Sequence, residues 1–334
     1  GYSIKIDKMG NVIVTGTFFQ LGTKQDIITL KYSAFGLRLW VNTYSSSGSH
    51  DDFSGNVVID SSDNIYITGT SNNYYVTIKY DSSGVQKWID LYDLVNHTGV
   101  SRAMTIDKCG NVYITGESGD SFTLIDIATI KYNSFGIRQW VARYNSPTSE
   151  NDYGLAIGVD SDGNVYVCGG SQGDLHYDDY VTVKYDSSGI EQWNRRYNGS
   201  ANFVDQARAL VIDNSNNVYI SGYATQAGTG YDFTTIKYNT FGDQIWLRKY
   251  NNGLNDIAND MTIDNYDNLY VTGQSDGNSS NYDYATIKYN ASGNQIWAVR
   301  YDYSGQYGDY PQALVLDING SVIVTGSSNR DYLT

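Results

Sequence analysis

Proline and cysteine are almost missing from this chain: two of each in 334 residues, with only three methionines and three histidines. So little proline suits strands joined by polar turns. The cysteines, Cys109 and Cys168, fall in a hairpin turn of one repeat and near the far end of a strand in the next. That placement, at opposite ends of neighbouring sheets, excludes a disulfide and leaves the redox compartment open. His50 and His97 sit in successive loops and His176 more than a repeat further on. No short histidine spacing supports zinc, and no metal or cofactor is expected. Positive charge is also short, 22 basic against 36 acidic residues, for a net charge of −14. Nucleic acid, whose phosphates need a basic face, and anionic membrane surfaces are disfavoured as partners. No run approaches the roughly 20 apolar residues that insert across a bilayer. No helical period occurs either. The chain opens on Gly1 rather than Met and carries no signal peptide, as expected of a processed or excised segment.

What is abundant is tyrosine, 32 residues, within an apolar fraction of 40%. The aromatics follow a strict plan. Trp40, Trp88, Trp140, Trp193, Trp246 and Trp297 lie 48, 52, 53, 53 and 51 residues apart. Each closes the same phrase: Tyr80-Asp-Ser-Ser-Gly84-Val-Gln-Lys-Trp88 returns as Tyr185-Asp-Ser-Ser-Gly189-Ile-Glu-Gln-Trp193 and Tyr289-Asn-Ala-Ser-Gly293-Asn-Gln-Ile-Trp297. A period of this size, built only from strand-like pieces, predicts an all-β chain, a β-propeller of four-stranded antiparallel blades. The fourth copy shows the unit: Leu155 to Asp160, Asn164 to Cys168, Asp179 to Tyr185 and Ile190 to Tyr197 read as its four strands.

Six repeats are complete and a seventh begins, so the reading is one propeller domain over residues 1–334 with seven blades. Their bounds are 1–47, 48–98, 99–150, 151–201, 202–253, 254–305 and, incomplete, 306–334. The last blade lacks its outermost strand. Downstream residues supply it in the simpler account, and strand addition by another chain is the alternative; eight blades from a longer parent also fit. The first strand is placed innermost, because the positions six and four residues before its closing Asp are small in nearly every copy and backbones crowd at a central axis. Asp260 breaks that rule and is expected to point into the channel.

The third strand carries Thr and Lys in every complete copy, from Thr29/Lys31 to Thr286/Lys288, usually preceded by an Asp such as Asp26, Asp126 or Asp179. A second Asp recurs at Asp52, Asp152, Asp205, Asp256 and Asp309. One copy per blade is what scaffolding requires, so the Lys/Asp set reads as a repeated inter-blade salt-bridge and hydrogen-bond network. The six tryptophans read as blade anchors, docked on the adjacent blade where glycines permit close approach.

The phrase Gly163-Asn-Val-Tyr-Val-Cys-Gly169, then Asp179-Tyr-Val-Thr-Val-Lys-Tyr-Asp-Ser-Ser-Gly189 and Trp193, resembles the SBBP-type bacterial β-propeller repeat along essentially the whole chain. The first two strands are also similar to NHL repeats, and the Gly-to-Trp turn to quinoprotein repeats. The SBBP resemblance implies a secreted or cell-surface protein of bacteria or archaea, attached to further modules, and brings no shared catalytic residues.

Short turns share one face of such blades. The longer, varied connections share the other, which is the natural binding surface. Phe18, Phe19, His97, Tyr153, His176, Tyr177, Phe203, Tyr231, Tyr282 and Tyr307 belong there, with Asp260 in the channel, as candidate ligand-binding residues; His50, Tyr303 and Tyr310 lie on the same face. Aromatics beside Asn and Asp suit sugar rings or extended peptide. The run Asp160-Ser-Asp-Gly-Asn164 looks calcium-like, but its counterparts lack the second carboxylate and no distal Glu follows, so it reads as a hairpin turn. No nucleophile, phosphate loop or arginine cluster stands out; Arg143, Arg195, Arg196, Arg248 and Arg300 fall on outer strands. The expectation is therefore a non-catalytic extracellular module, not an enzyme, with other protein modules or surface proteins as partners. A lectin-like glycan-binding domain is the alternative and a hydrolase or lyase the remote one.

Overall fold

A computed structural model describes residues 1–19, 24–47, 50–92, 97–120, 124–173, 176–277, 281–302, 308–328 and 331–333. Among them no helix occurs. Seven antiparallel sheets form, six of four strands and a last one of three, each laid down in chain order, an all-β fold consistent with a seven-bladed propeller. The chain divides into two compact units, 1–159 with 187–190, and 160–186 with 191–334.

The first unit holds β1 (Ser3–Ile6), β2 (Val12–Phe19), β3 (Gln25–Tyr32) and β4 (Arg38–Tyr44) as sheet one. Sheet two is β5 (Asp52–Ile59), β6 (Ile65–Ser71), β7 (Tyr74–Tyr80) and β8 (Gln86–Tyr92). Sheet three is β9 (His97–Ile106), β10 (Val112–Asp120), β11 (Ile125–Tyr132) and β12 (Arg138–Tyr144). Strand β13 (Asp152–Val159) ends the unit. The second unit opens with β14 (Val165–Gln172), β15 (Asp178–Tyr185) and β16 (Glu191–Tyr197), the rest of sheet four. Sheet five follows as β17 (Asp205–Ile212), β18 (Val218–Gln226), β19 (Gly230–Tyr238) and β20 (Gln244–Tyr250). Sheet six is β21 (Asp256–Ile263), β22 (Leu269–Asp276), β23 (Tyr282–Tyr289) and β24 (Gln295–Tyr301). Sheet seven is β25 (Asp309–Leu316), β26 (Val322–Ser328) and β27 (Asp331–Leu333).

Strands run further than the sequence reading had them: β14 continues past Cys168 to Gln172, with Gly169 and Gly170 paired to Val181 and Tyr180. The glycine is demanded by the neighbouring first strand, which bulges opposite it. At Gly116, Gly222 and Gly273 a Cβ would stand 2.0–2.1 Å from a first-strand carbonyl oxygen. No side chain fits there, so the repeat keeps its glycine and the ladder passes through.

First strands touch first strands. Asn56 Nδ2 of β5 donates to the Arg102 carbonyl of β9 at 3.0 Å, and Asn259 Nδ2 of β21 to the Pro311 carbonyl of β25 at 2.8 Å. Apolar residues fill the space between consecutive sheets, as in the cluster of Ile13, Ile27, Val57, Ile67, Ile78 and Tyr80 in the first unit and that of Tyr219, Phe233, Met261, Val271, Ile287 and Tyr289 in the second. Each first hairpin turn is held by its Asp. Asp160 accepts the Asp162 and Asn164 N–H groups on one oxygen, and Asn164 Nδ2 and the Tyr166 hydroxyl on the other. The oxygens that made this run look calcium-like are engaged by the chain's own donors, as at Asp60, Asp213 and Asp264.

Candidate binding rim

The recurrent charges separate into two networks at opposite ends of the third strand: the expected inter-blade hydrogen bonds are present, whereas the ion pairs form within each sheet rather than between blades. Lysine belongs to the short-turn end, where it pairs within its own sheet: Lys31 Nζ lies 2.8 Å from Asp7 and Lys237 Nζ 3.1 Å from Asp213, all four side chains buried. Burial alone would raise the Asp7 carboxyl, but hydrogen bonds from Lys31 and Asn11 bring it down to about 2. Lysines also reach the next sheet, not to an acid but to a turn carbonyl: Lys31 to Ser82, Lys79 to Ser134, Lys131 to Ser187 and Lys184 to Thr240, at 2.8–3.1 Å. The third-strand Asp belongs to the loop end and pairs with an arginine of the fourth strand: Arg143 with Asp126, Arg196 with Asp179 and Arg300 with Asp283, at 2.5–3.0 Å.

Lysine and tryptophan are cross-strand partners, as in Lys79↔Trp88 and Lys184↔Trp193. The indole therefore lands beside the ammonium on the next turn. Nε1 of Trp40, Trp88, Trp140, Trp193 and Trp246 donates to the carbonyls of Ser82, Ser134, Ser187, Thr240 and Ala291 at 3.1–3.4 Å. Each ring lies over Gly84, Gly136, Gly189, Gly242 or Gly293, all at positive φ, where a Cβ would stand 2.6–2.9 Å from it. Trp297 meets Tyr270 of its own sheet edge-on at 6.0 Å.

At the loop end, Asp52, Asp152, Asp205, Asp256 and Asp309 are fully buried, and the first four tie the incoming connection to the first strand. Asp52, Asp152 and Asp256 accept the N–H groups of Ser46, Ser146 and Asn252, and Asp205 those of Gly199 and Thr225. Burial pushes the Asp205 carboxyl up to about 6 against those backbone donors, and it raises Asp256 as well. Asp260 does not stand free in a channel: one oxygen accepts the Leu314 N–H at 2.8 Å and the other the Met261 N–H at 2.9 Å. The bulges at Ala258/Asp260 and Pro311/Ala313 open the first-strand ladders there, and the carboxylate fills the gap.

Four of the ten loop-face candidates meet in ring pairs on the second unit. Tyr177 and Phe203 stand 4.9 Å apart, 39% and 50% exposed. Tyr231 meets Tyr223 at 4.8 Å, and Tyr282 meets Tyr310 at 5.8 Å. Asn255 links the last two pairs, its Oδ1 accepting the Tyr231 N–H at 3.2 Å and its side chain bonding the Tyr282 hydroxyl. The Arg208 guanidinium lies 4.9 Å over Tyr223 and donates to Asn259 Oδ1 at 2.9 Å. Burial raises the Tyr223 and Tyr282 hydroxyls, which stay neutral hydrogen-bonding groups at ordinary pH. A strip of rings, running from the buried Tyr223 through half-buried Tyr231 and Tyr282 to exposed Tyr310 and interleaved with amides, thus crosses sheets five to seven.

Sequence reasoning missed Arg208, Tyr223 and Asn259. The signal for Tyr223 was departure from the repeat: the residue after the strand-two glycine is Thr17, Thr70, Glu117, Gly170, Tyr223, Gln274 and Ser327 in turn, variable where the frame is constant. It also missed a cavity of ≈ 410 Å³ in the first unit lined by Tyr44, Ser46, Ser71, Asn72, Tyr74 and Leu91, among others. The remaining candidates are dispersed. Phe18 and Phe19 end β2, Phe19 being 71% exposed, Tyr153 lies in β13, and exposed His176 takes a φ of 62°. Tyr307 and the His97 side chain lie outside the described residues. Asp283, Asp302 and Asp309 bring carboxylate oxygens within 4.8 Å of one another, with Arg300 held on Asp283. Among the described residues no helix is long and apolar enough to cross a membrane.

Comparison with known proteins agrees with this frame. Residues 139–176 match the SBBP beta-propeller repeat. The chain is 22% identical to an uncharacterised WD repeat-containing protein of Acanthamoeba polyphaga mimivirus, over 92% of its own length and 31% of that protein's, so it spans about a third of that relative. Among solved structures, a polysaccharide lyase superposes with a TM-score of 0.56 at 10% identity, covering 99% of this chain and 88% of that one. A Lactobacillus plantarum protein gives 0.55 at 13% identity, with coverages of 95% and 88%. The lyase overturns the expectation that this chain is not an enzyme: the same architecture carries catalysis, and an absent motif in a repeat sequence does not exclude it.

Proposed function

We propose that this chain is a recognition module of a larger, surface-exposed assembly and that the ring-lined strip of the second unit is its contact surface for an extended partner polypeptide. The observation that carries the reading is the convergence of Tyr223/Tyr231 and Tyr282/Tyr310 with Arg208 and Asn259 across consecutive sheets. Tyr and Arg are the side chains that most often dominate protein contacts, and a row of them spaced by strand-bearing loops matches an extended peptide better than a compact ligand. Secretion or surface display fits the acidic net charge of −14 and the repeat family matched.

A second reading, a neutral saccharide on the same rings, is favoured by the stacking faces beside Asn255 and Asn259. Uronic or sulfated polymers are disfavoured by the net charge. A random peptide display and a glycan array, run with the full chain and its Tyr231→Ala/Tyr282→Ala variant, test both. Ligands recovered by the parent should be lost by the variant. Ligands bound equally by the two would refute the strip as the contact surface.

A further inference from the structure

Sheet two breaks the repeat three times in one place. From the strand-two glycine to the third-strand lysine the chain advances 15 residues in the five other complete copies, as from Gly16 to Lys31 and from Gly169 to Lys184, but only 10 from Gly69 to Lys79. Strands β6 and β7 are therefore joined by Asn72 and Asn73 alone, both left-handed with φ of 50° and 65°. The third-strand Asp of those other copies is replaced by Tyr74, and the fourth-strand arginine of sheets three, four and six by Leu91.

The other copies show what those changes remove. Arg196 bonds the Ser171 hydroxyl and carbonyl together with Asp179, and Arg300 bonds the Ser275 hydroxyl and carbonyl together with Asp283. Ser71 holds the same register, facing Tyr74 across the hairpin as Ser171 faces Asp179, but leucine has no donor to offer it. Ser71 is 1% exposed, and its hydroxyl meets that of Tyr44 at 3.2 Å. The cavity of ≈ 410 Å³ opens here, with Ser71, Tyr74 and Leu91 in its wall. A shortened connection and the joint loss of an acid and its arginine thus leave a seat from which both charges are gone.

We propose that this cavity binds a small neutral saccharide, a mono- or disaccharide whose hydroxyls take the place of the lost guanidinium at Ser71 and whose apolar face lies along Tyr74 and Leu91. The lining selects that class. Serine and tyrosine hydroxyls and the Asn72 amide both donate and accept, as sugar hydroxyls require, and Tyr74, Ile89 and Leu91 supply apolar wall. Burial raises the Tyr44 hydroxyl, which stays protonated and able to donate. A phosphate, sulfate or uronate would find no cation in the lining. A guanidinium would find no free acid, because the lining's one carboxylate, Asp90, already accepts the Tyr132 hydroxyl and the Arg138 guanidinium, each at 2.7 Å. The volume sits at the small end of the ~300–1,000 Å³ usual for small-molecule sites, which suits one or two sugar rings. This inference does not rest on the ring-lined strip, which lies on other residues of the second unit.

The test titrates the full chain with glucose, galactose, mannose, cellobiose and maltose, with glucuronate and arginine methyl ester as charged controls, and reads binding by saturation-transfer NMR. At least one neutral sugar should saturate with a Kd on the order of 1 mM. Tyr74→Asp/Leu91→Arg restores the pair that sheets three, four and six carry, so the variant should keep the thermal unfolding midpoint while filling the seat and weakening the sugar at least tenfold. Ser71→Ala, which adds no bulk, should weaken it severalfold. Tyr231→Ala/Tyr282→Ala, the strip variant, should leave it unchanged. Four results would overturn the proposal: no saturable binding by any of the five sugars, binding indifferent to both cavity variants, loss in the strip variant instead, or a charged control bound more tightly than every neutral sugar.

Discussion

Gly136→Ala should destabilise this protein far more than Gly36→Ala, although the two glycines have the same backbone conformation. Their φ angles are 81° and 80°, so alanine pays the same left-handed strain at each, about 1–2 kcal/mol. The difference lies in what a methyl would meet. At Gly136 it would stand 2.6 Å from Cδ2 and 2.7 Å from Cγ of Trp88; at Gly36 nothing lies within 4 Å. Carbon atoms pack at about 3.5–4.0 Å, so the indole must retreat by roughly 1 Å, and a gap of that size forfeits a quarter to a half of its dispersion contact. The Trp88 N–H to Ser134 bond, already 3.4 Å long, goes with it at a cost of about 1 kcal/mol. Gly136→Ala should therefore lose about 3–5 kcal/mol in all, against about 1–2 for Gly36→Ala. Urea unfolding followed by tryptophan fluorescence measures both, with equal slopes expected for parent and variants. Equal losses at the two sites would refute the claim that the indole seats hold consecutive sheets together.

Two further perturbations probe the charge networks. Asp205 keeps a proton to about pH 6 in the native state, whereas an unfolded aspartate releases it near 4. The native state thus binds more protons across that window, and this contribution to stability falls as pH rises from 4 to 6, by up to about 2 kcal/mol. Urea midpoints between pH 4 and 7 should show the fall, and Asp205→Asn should flatten it; an unchanged profile would place the titration elsewhere. Lys31→Met should cost about 3–5 kcal/mol, since it strands the buried Asp7 carboxylate, and adding Asp7→Asn should recover part of the loss. Asp7, held at about 2, contributes stability above pH 4 that disappears as pH falls toward 2, and Lys31→Met should narrow that loss. A double variant no more stable than the single one would show that the lysine acts through its bond to Ser82 instead.

The frame was legible because each of its parts is repeated. The docking of Trp88 on a glycine of the next blade was read from the repeated phrase, whereas the placement of Lys79 directly across the hairpin from Trp88 came only with the register. The charge pairing was not legible, because sequence gives the strand a charge sits on and not the end of the strand its partner approaches. Asp179 and Lys184 share β15 yet serve different networks, the one meeting Arg196 and the other the Thr240 carbonyl. Asp260 misled for a related reason. A charged residue among small ones reads as a ligand-facing group, whereas its carboxylate takes the backbone N–H left at a bulge in the adjoining first strand, as the Ser3 hydroxyl takes that of Val57.

The binding strip was least legible, and its residues explain why. Tyrosine occurs 32 times, so Tyr223 and Tyr231 cannot be told by type from Tyr132 or Tyr219, which are core residues. What separates them is position within the repeat. Tyr219 stands where Tyr66, Tyr113, Tyr166 and Tyr270 also stand, and its hydroxyl reaches the turn Asp like theirs. Tyr223 stands where the other copies have threonine, glutamate, glycine, glutamine or serine, and Arg208 where they have tyrosine, glycine, arginine, leucine, asparagine or glutamine. In an architecture whose sheets must all stack alike, a position that stacking does not constrain is the one free to differ. The same arginine recurs as Arg102, which pairs with Glu117, whereas Arg208 lies 4.9 Å over the ring of Tyr223. Departure at Tyr223, which turns an arginine's carboxylate partner into a ring, therefore marks where this chain can carry a function that its other sheets do not share.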